Sequence, residues 1–159
     1  MGERALRVGV TGHIRLSRES SRPIYLALRS YLAGQLRVHD HLYGITCLAD
    51  GADSLFARAV SDLDGMLEVI LPGPPGNRRR TRRLLRRAHR VSQVGPGPVE
   101  ARYAEASERV LRGCEVLVAV WDGTDAGGQG GTAHTVARAR ELGKQVEVIW
   151  PPQARRLGP

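Results

Sequence analysis

The segment GGQGGT, residues 127–132, is the part of the sequence best suited to binding a phosphate. A phosphate needs backbone N–H groups that point at it with no Cβ in the way, and glycine meets both needs. A helix predicted after the glycines adds its positive end, and Thr132 can cap that helix or donate its hydroxyl to the anion. We therefore predict that Gly128, Gly130, Gly131 and Thr132 bind phosphate. A flexible surface loop before a capped helix is the alternative.

Three aspartates follow predicted strands, where α/β proteins often place functional carboxylates. Asp50 and Asp53 flank Gly51 after the second strand, and Asp122 follows the central strand. A carboxylate there can accept hydrogen bonds from ribose hydroxyls or act as a general base. We predict Asp50 and Asp122 as catalytic candidates, and Gly51 and Asp53 as ligand-binding residues. Capping of the next helix by Asp50 or Asp53, and an Asp-Gly turn at Asp122, are the alternatives.

Two histidines and a tryptophan complete the candidate site. His13 ends the segment Thr11-Gly12-His13 after the first strand, and His134 lies at the start of the helix after the glycines. Protonated histidines would attract a phosphate, and a neutral one can act as a general base. We predict Thr11, Gly12 and His13 as binding residues and His134 as a catalytic candidate, with a solvated His134 as the alternative. Trp121 can stack on a base or simply pack at the strand end.

Short β-branched strands that alternate with amphipathic helices are needed to bring these residues together. The sequence predicts strands at residues 6–10, 43–48, 66–71, 91–94, 115–121 and 145–150. It predicts helices that begin at Pro23, follow Asp53, and span residues 101–112 and 132–142. This alternation predicts a single doubly wound, Rossmann-like α/β domain with a mainly parallel sheet and helices on both faces. If the first strand neighbours the strand at 115–121, two of the candidate loops face each other across a crevice.

Composition limits the class of protein. The chain has 159 residues, 42% of them hydrophobic, which is about one domain. We assign residues 1–152 to this domain and predict a flexible tail over 153–159. Two distant cysteines, Cys47 and Cys114, are typical of reduced core residues, and neither a metal site nor a cofactor is predicted. Because no signal peptide or membrane span is evident, we expect a cytoplasmic protein.

The net charge of +8 favours anionic partners. Much of it lies in an Arg-rich segment, residues 78–90, which contains eight arginines. Leu84, Leu85, Ala88 and Val91 give this segment an apolar stripe, so we predict an amphipathic helix. The segment can grip nucleic-acid phosphates, although no aromatic residues are interleaved for stacking on bases. A solvated basic face, or a role in holding the phosphates of a small ligand, are the other interpretations.

Several of these motifs together resemble a known group of proteins. The sequences VLVAVWDG, GGQGGTAHTVARARELG and VEVIWPP are similar to the SLOG superfamily, which includes the Lonely Guy phosphoribohydrolases and DNA-processing protein A. VGVTGH and TCLADGADSLFARAV look like a small actinobacterial branch of it. The resemblance covers residues 6–152. It implies a Rossmann-like fold, a homodimer or larger homo-oligomer, and a nucleotide or nucleotide-derived ligand.

The chain departs from this family at positions that matter for catalysis. Lonely Guy enzymes have a glutamate three residues after the threonine of their glycine motif, and the corresponding residue here is Thr135. Their arginine motif is also missing from the preceding helix, although that helix offers Arg102 and Arg109. Three hypotheses follow: binding of a nucleotide or phosphoribosyl ligand, which we favour; hydrolysis of an N-glycosidic bond in nucleoside monophosphates; and nucleic-acid binding through the Arg-rich segment.

Overall fold

The computed structural model describes residues 2–125 and 131–158. Six parallel strands form one sheet in the order β4-β3-β2-β1-β5-β6. The strands are β1 (Ala5–Gly12), β2 (His41–Thr46), β3 (Met66–Leu71), β4 (Arg90–Gln93), β5 (Val116–Val120) and β6 (Gln145–Ile149). This is the predicted doubly wound, Rossmann-like α/β fold, with the order of the strands reversing between β1 and β5.

Five helices connect the strands and cover both faces of the sheet. They are α1 (Ser21–Gln35), α2 (Ala52–Asp62), α3 (Arg79–Arg87), α4 (Val99–Gly113) and α5 (Thr132–Glu141). The side chains of α1, α2 and α3 share one hydrophobic core with the sheet, and α4 and α5 pack in two smaller clusters on the other face. Each β-to-α loop therefore leaves the same edge of the sheet.

The strand β5, which was predicted to be central, lies second from one edge of the sheet, between β1 and β6, and is nevertheless covered on both faces. All five of its residues, the sequence VLVAV, are buried. Val116, Val118 and Val120 pack into the core beneath α1 and α2, whereas Leu117 packs with α4 and α5. Side chains alternate between the two faces of a strand, so a strand covered on both faces must be apolar throughout.

The Arg-rich segment differs from its prediction in one respect. The helix α3 ends at Arg87, and Ala88 is already extended. Val91 lies in β4, in agreement with the strand predicted at residues 91–94, so it does not extend the apolar stripe of the helix, and its side chain is about half exposed. The pairing of β4 with β3 takes the chain out of the helix, so the buried side of α3 rests mainly on Leu84.

The residues after β6 contact the loop that follows β1. Backbone hydrogen bonds join Ser17 N–H to the Arg155 carbonyl and Leu157 N–H to the Arg15 carbonyl, both at 3.0 Å. The Ser20 hydroxyl accepts a hydrogen bond from Arg155 N–H at 2.6 Å, and Ala154 is buried. The domain boundary at residue 152 stays a prediction, but residues 154–157 pack against the domain.

Among the described residues, no helix is both long enough and apolar enough to span a membrane.

Candidate functional site

The candidate site lies where β1 and β5 run side by side. Their register pairs Val8 with Val116 and continues to Gly12 opposite Val120. Beyond the strands, His13 N–H donates a hydrogen bond to the Val120 carbonyl at 3.1 Å. Ligands of open α/β sheets bind at such a reversal of strand order because the two flanking loops separate there. The predicted neighbour relation between these strands is thus confirmed.

Two glycines hold the loop after β2 against the loop after β1. Gly51 has a φ of 78°, and a Cβ there would lie 2.6 Å from the His13 carbonyl oxygen. At Gly12 a Cβ would collide with the Cβ of Ala52 and would lie 2.8 Å from the Val120 carbonyl oxygen. Ala52 N–H also donates to the His13 carbonyl at 3.2 Å. Both predicted glycines therefore serve the close packing of these loops.

A pocket of about 500 Å³ opens at this point, and we call it the switch pocket. Its walls come from the loop after β1, the loop after β5, the start of α5 and the segment after β6. Its polar and charged contributors include Thr11, His13, Arg15, Thr132 and Arg156. With two guanidinium groups and one helix N-terminus, the described part of this pocket is suited to an anion.

The start of α5 forms one side of the switch pocket. Gly131 is the residue before the helix, with φ −73° and ψ 172°, and Thr132 is its first helical residue. Among the described residues no side chain caps this end, and Gly131, Thr132 and Ala133 line the pocket, so we expect N–H groups of the first turn to face it. The predicted phosphate-binding residues Gly131 and Thr132 thus line it, whereas Gly128 and Gly130 lie outside the described residues.

Asp122 is held by a network behind the switch pocket. Its Oδ1 accepts hydrogen bonds from the Thr124 hydroxyl at 2.7 Å and the Thr124 N–H at 3.0 Å, which form the turn after β5. The same oxygen lies 3.1 Å from Nε2 of His13, and Oδ2 lies 3.6 Å from Nε of Arg156. Burial opposes ionisation of Asp122, but the hydrogen bonds from Thr124 and His13 prevail and lower its pKa to about 2.

This network orients the other side chains around the pocket. The His13 ring packs edge-on against Trp150, with 5.4 Å between ring centroids. Trp121 lines the switch pocket and donates its indole N–H to the Thr124 carbonyl at 2.8 Å. Asp122 therefore forms the turn that was the alternative to a catalytic role, and it also contacts His13. Contact of Asp122 or His13 with a ligand stays a prediction.

A smaller pocket of about 90 Å³ adjoins the switch pocket, and we call it the Asp53 pocket. The two share Thr11, Gly12 and Ile14 as a common wall. Asp53 is buried, and its Oδ2 accepts a hydrogen bond from Ala49 N–H at 3.3 Å. Burial raises the pKa of Asp53 to about 6, although hydrogen bonds from the loop after β2 work in the opposite direction. Asp53 is therefore the candidate carboxyl that exchanges a proton near neutral pH.

Two of the three predicted catalytic residues, Asp50 and His134, do not line the Asp53 pocket. Asp50 is half exposed and forms an ion pair with Arg78 at 2.9 Å, beside the Arg-rich segment. His134 is exposed and lines a third pocket of about 540 Å³ between α4 and α5, together with Glu108 and Arg138. The hydrogen bond from Arg138 lowers the pKa of Glu108. His13 and His134 thus line different pockets, and the predicted roles of Asp50 and His134 stay predictions.

The structure also places Thr135 where it affects the candidate chemistry. Thr135 is buried, lines both the Asp53 pocket and the pocket between α4 and α5, and donates its hydroxyl to the Gly131 carbonyl at 3.2 Å. A side chain at this position is therefore directed at the crevice. Threonine holds the turn there but offers no carboxylate.

Cysteine and metal chemistry find no support in the described part of the chain. Cys114 is buried, and burial raises its pKa. Cys47 lines the Asp53 pocket, but burial and the nearby Asp53 also raise the pKa of its thiol, which keeps it protonated. Within residues 2–125 and 131–158, no cluster of histidine, cysteine or carboxylate side chains could hold a metal ion.

Two sets of residues that line the switch pocket and the Asp53 pocket were not predicted from the sequence. Arg156 and Leu157 form a wall of the switch pocket, although the sequence after β6 has neither strand nor helix periodicity. Tyr103 and Ser107 of α4 line the Asp53 pocket from the opposite side. Both contributions arise from distant segments of the chain, and only the excess of arginine near the C-terminus gave any signal for the first.

No protein-family model matches the sequence, and neither does any curated protein. Solved structures do match. DNA processing protein A from Streptococcus pneumoniae has a TM-score of 0.67 and 17% identity, covering 91% of this chain and 53% of its own. The Moco carrier protein from Chlamydomonas reinhardtii has a TM-score of 0.60 and 20% identity, covering 94% and 79%. A structure titled TM1055 has a TM-score of 0.61 and 24% identity, covering 89% and 72%.

The chain has a Rossmann-like fold. The structural neighbours share that fold, which confirms at the level of the fold the resemblance seen in the sequence. At these identities the likeness establishes architecture alone. This chain also spans only about half of the Streptococcus pneumoniae protein.

Proposed function

We propose that this protein binds a nucleotide or a phosphoribosyl-type ligand, with the phosphate in the switch pocket. The observation that carries the proposal is the start of α5. Its first-turn N–H groups open at Gly131 and Thr132 onto a pocket that also contains Arg156. Backbone donors, a helix dipole and a guanidinium group are the combination that favours a phosphate over a neutral group.

The size and position of the Asp53 pocket are suited to a sugar attached to that phosphate. It shares a wall with the switch pocket, and its volume of about 90 Å³ is that of about three water molecules, enough for part of a ribose. The carboxyl of Asp53 and the hydroxyl of Ser107 can exchange hydrogen bonds with ribose hydroxyls. Trp121 then lies on the switch-pocket side, where it can pack against a base.

Binding without chemistry is the form of the proposal that the side chains favour. Thr135 provides no carboxylate, Asp122 is held by Thr124 and His13, and Asp50 is paired with Arg78. One structural neighbour is named a carrier of the molybdenum cofactor, which supports a ligand-binding role for the fold. Assembly into a homodimer or larger homo-oligomer and a cytoplasmic location stay predictions of the sequence.

Hydrolysis of an N-glycosidic bond is the second candidate, and Asp53 is the observation that favours it. A carboxyl with a pKa of about 6 beside a sugar-sized pocket can take a proton from water near neutral pH. If the protein is such an enzyme, nucleoside monophosphates incubated with it release free base, and the Asp53→Asn variant loses this activity. Chromatography of the reaction mixture decides between the two candidates.

Thermal-shift measurements test the binding proposal. The panel contains nucleoside mono- and diphosphates, ADP-ribose and ribose 5-phosphate, each measured on wild type, Gly131→Glu and Gly131→Gln. Gly131 has φ −73°, so an L-residue fits its backbone. We expect a phosphate-bearing ligand to raise the Tm of wild type, and Gly131→Glu to abolish the shift by repelling the phosphate.

Gly131→Gln is the matched control, because glutamine has the size of glutamate without its charge. It should retain more of the shift than Gly131→Glu. Equal losses in both variants would mean that shape rather than charge governs binding. A panel that leaves the wild-type Tm unchanged would contradict the proposal.

A further inference from the structure

The Arg-rich helix α3 carries positive charge at its N-terminus and in like-charged pairs along its length, which opposes its own stability. Residues 78–90 contain eight arginines and no acidic residue. Arginines occupy both the first and the last turn of the helix, and the first turn contains no acidic residue. Positive charge at a helix N-terminus opposes the helix dipole. The like-charged pairs Arg79–Arg83 and Arg82–Arg86, each one turn apart, also destabilise a helix.

A groove between α2 and α3 collects part of this charge, and we call it the arginine groove. Its volume is about 480 Å³. It is lined by Arg58, Asp62, Arg79, Arg80, Arg83, Leu84 and Arg87. Five arginines therefore face a single aspartate along one groove, on the opposite side of the sheet from α4 and α5.

On the α2 side of the groove, Arg58 and Asp62 are held in position by contacts with neighbouring side chains. Arg58 stacks over the Tyr25 ring, with its guanidinium carbon 4.2 Å from the ring centroid. Asp62 lies 3.7 Å from Nε of Arg58 and 4.0 Å from Nη1 of Arg87, so one carboxylate is shared between two guanidinium groups. The single acid is thus shared between these two arginines and the Tyr25 hydroxyl, which donates a hydrogen bond to it.

The arginines on the α3 side remain available to a partner. Within the described residues, Arg79, Arg80 and Arg83 form no ion pair. Arg79 and Arg83 are one helical turn apart, about 6 Å along the axis, and project along the same side of the helix. A row of planar guanidinium groups at this spacing along the helix is better suited to a chain of phosphates than to one small anion.

We infer that the arginine groove binds the phosphodiester backbone of a nucleic acid. None of its lining residues is aromatic, so stacking on bases contributes nothing there. Binding should therefore be independent of base sequence and strongly dependent on salt, because affinity arises from release of counterions. The bound polyanion neutralises the repulsion between neighbouring arginines. This inference concerns a different surface from the switch pocket and does not rest on the function proposed for it.

Fluorescence anisotropy with a labelled 20-nucleotide single strand of mixed sequence, and with the corresponding duplex, tests the inference from 50 to 300 mM NaCl. The groove variant is Arg79→Gln/Arg83→Gln. The matched variant, Arg82→Gln/Arg86→Gln, removes the same charge from the same helix at exposed residues outside the groove. Circular dichroism and Tm measurements confirm that both remain folded.

We expect the groove variant to weaken binding at least tenfold at 100 mM NaCl, and the matched variant less than threefold. The slope of log K against log salt should become shallower by about 1.4 for the single strand, or by about 1.8 for the duplex, on loss of two phosphate contacts. Comparison of the two probes shows which form of nucleic acid is bound.

Two results would overturn the inference. One is no binding of either probe to wild type at 50 mM NaCl. The other is an equal loss in the two arginine variants, which would assign any binding to the net charge of α3 rather than to the groove.

Discussion

The buried carboxyl of Asp53 makes the stability of this protein depend on pH in a direction that can be derived. Its pKa is raised from 3.8 to about 6 because burial disfavours the charged form. Well below pH 3.8 the group is protonated in both the folded and the unfolded chain, so it contributes no pH dependence there. Between pH 4 and pH 6 the unfolded chain releases the proton while the folded chain retains it, and the free energy of unfolding falls as the pH rises.

The size of this effect follows from the difference between the two pKa values. Each pKa unit corresponds to about 1.4 kcal/mol, so we expect a loss of about 2–3 kcal/mol between pH 4 and pH 7. The Asp53→Asn variant preserves the shape of the side chain but has no proton to lose. Its stability relative to wild type should therefore increase by about 2–3 kcal/mol over the same pH range.

Urea unfolding followed by circular dichroism at pH 4, 5, 6 and 7 measures this difference. The control is Asp50→Asn, three residues before Asp53 in the loop that precedes α2, where the carboxylate is half exposed and paired with Arg78. Other titrating groups are common to all the proteins compared and cancel. Parallel stability curves for wild type and Asp53→Asn would refute the reasoning, since they would mean that Asp53 titrates alike in folded and unfolded chains.

Two further perturbations probe the framework of the site. Gly12→Ala should lower stability by about 1–3 kcal/mol, because a Cβ there collides with Ala52 and the Val120 backbone. The control is Gly34→Ala in α1, where an added Cβ has no neighbouring atom within 4 Å, and this change should raise stability by up to about 1 kcal/mol. Chemical denaturation would contradict the packing argument if both changes had the same sign. Asp122→Asn should destabilise more at pH 7 than at pH 3, by about 1 kcal/mol, because a pKa lowered to about 2 adds stability that is lost as the pH falls. If the loss of stability in Asp122→Asn were the same at pH 3 and pH 7, the negative charge of Asp122 would not contribute to stability.

The fold was predictable because its strands have an unmistakable pattern. The strand VLVAV is apolar on both faces, and this pattern is typical of a strand that helices cover on both sides. The same reasoning placed Thr11, Gly12 and Trp121 beside Gly131 and Thr132, since parallel strands bring their carboxyl ends to one edge. Periodicity and turn residues determine these features locally, so the sequence alone predicts them.

The finer features of the site depend on contacts between distant segments. Nothing near Asp53 in the sequence shows that its carboxyl is buried against the loop after β2 and not capping α2. Arg156 reaches Asp122 only because residues 154–157 pack on the loop after β1. Such contacts are set by tertiary packing, and no local pattern in the sequence encodes them.

Calorimetric titration of a nucleotide and its unphosphorylated nucleoside tests the central proposal most directly. The pair is the nucleotide with the largest thermal shift and the nucleoside of the same base. If the first turn of α5 and Arg156 hold the phosphate, the nucleotide should bind wild type at least tenfold more tightly than the nucleoside, a difference of about 1.4 kcal/mol or more. That difference should disappear in Gly131→Glu. Equal affinities of nucleotide and nucleoside for wild type would contradict phosphate recognition in the switch pocket.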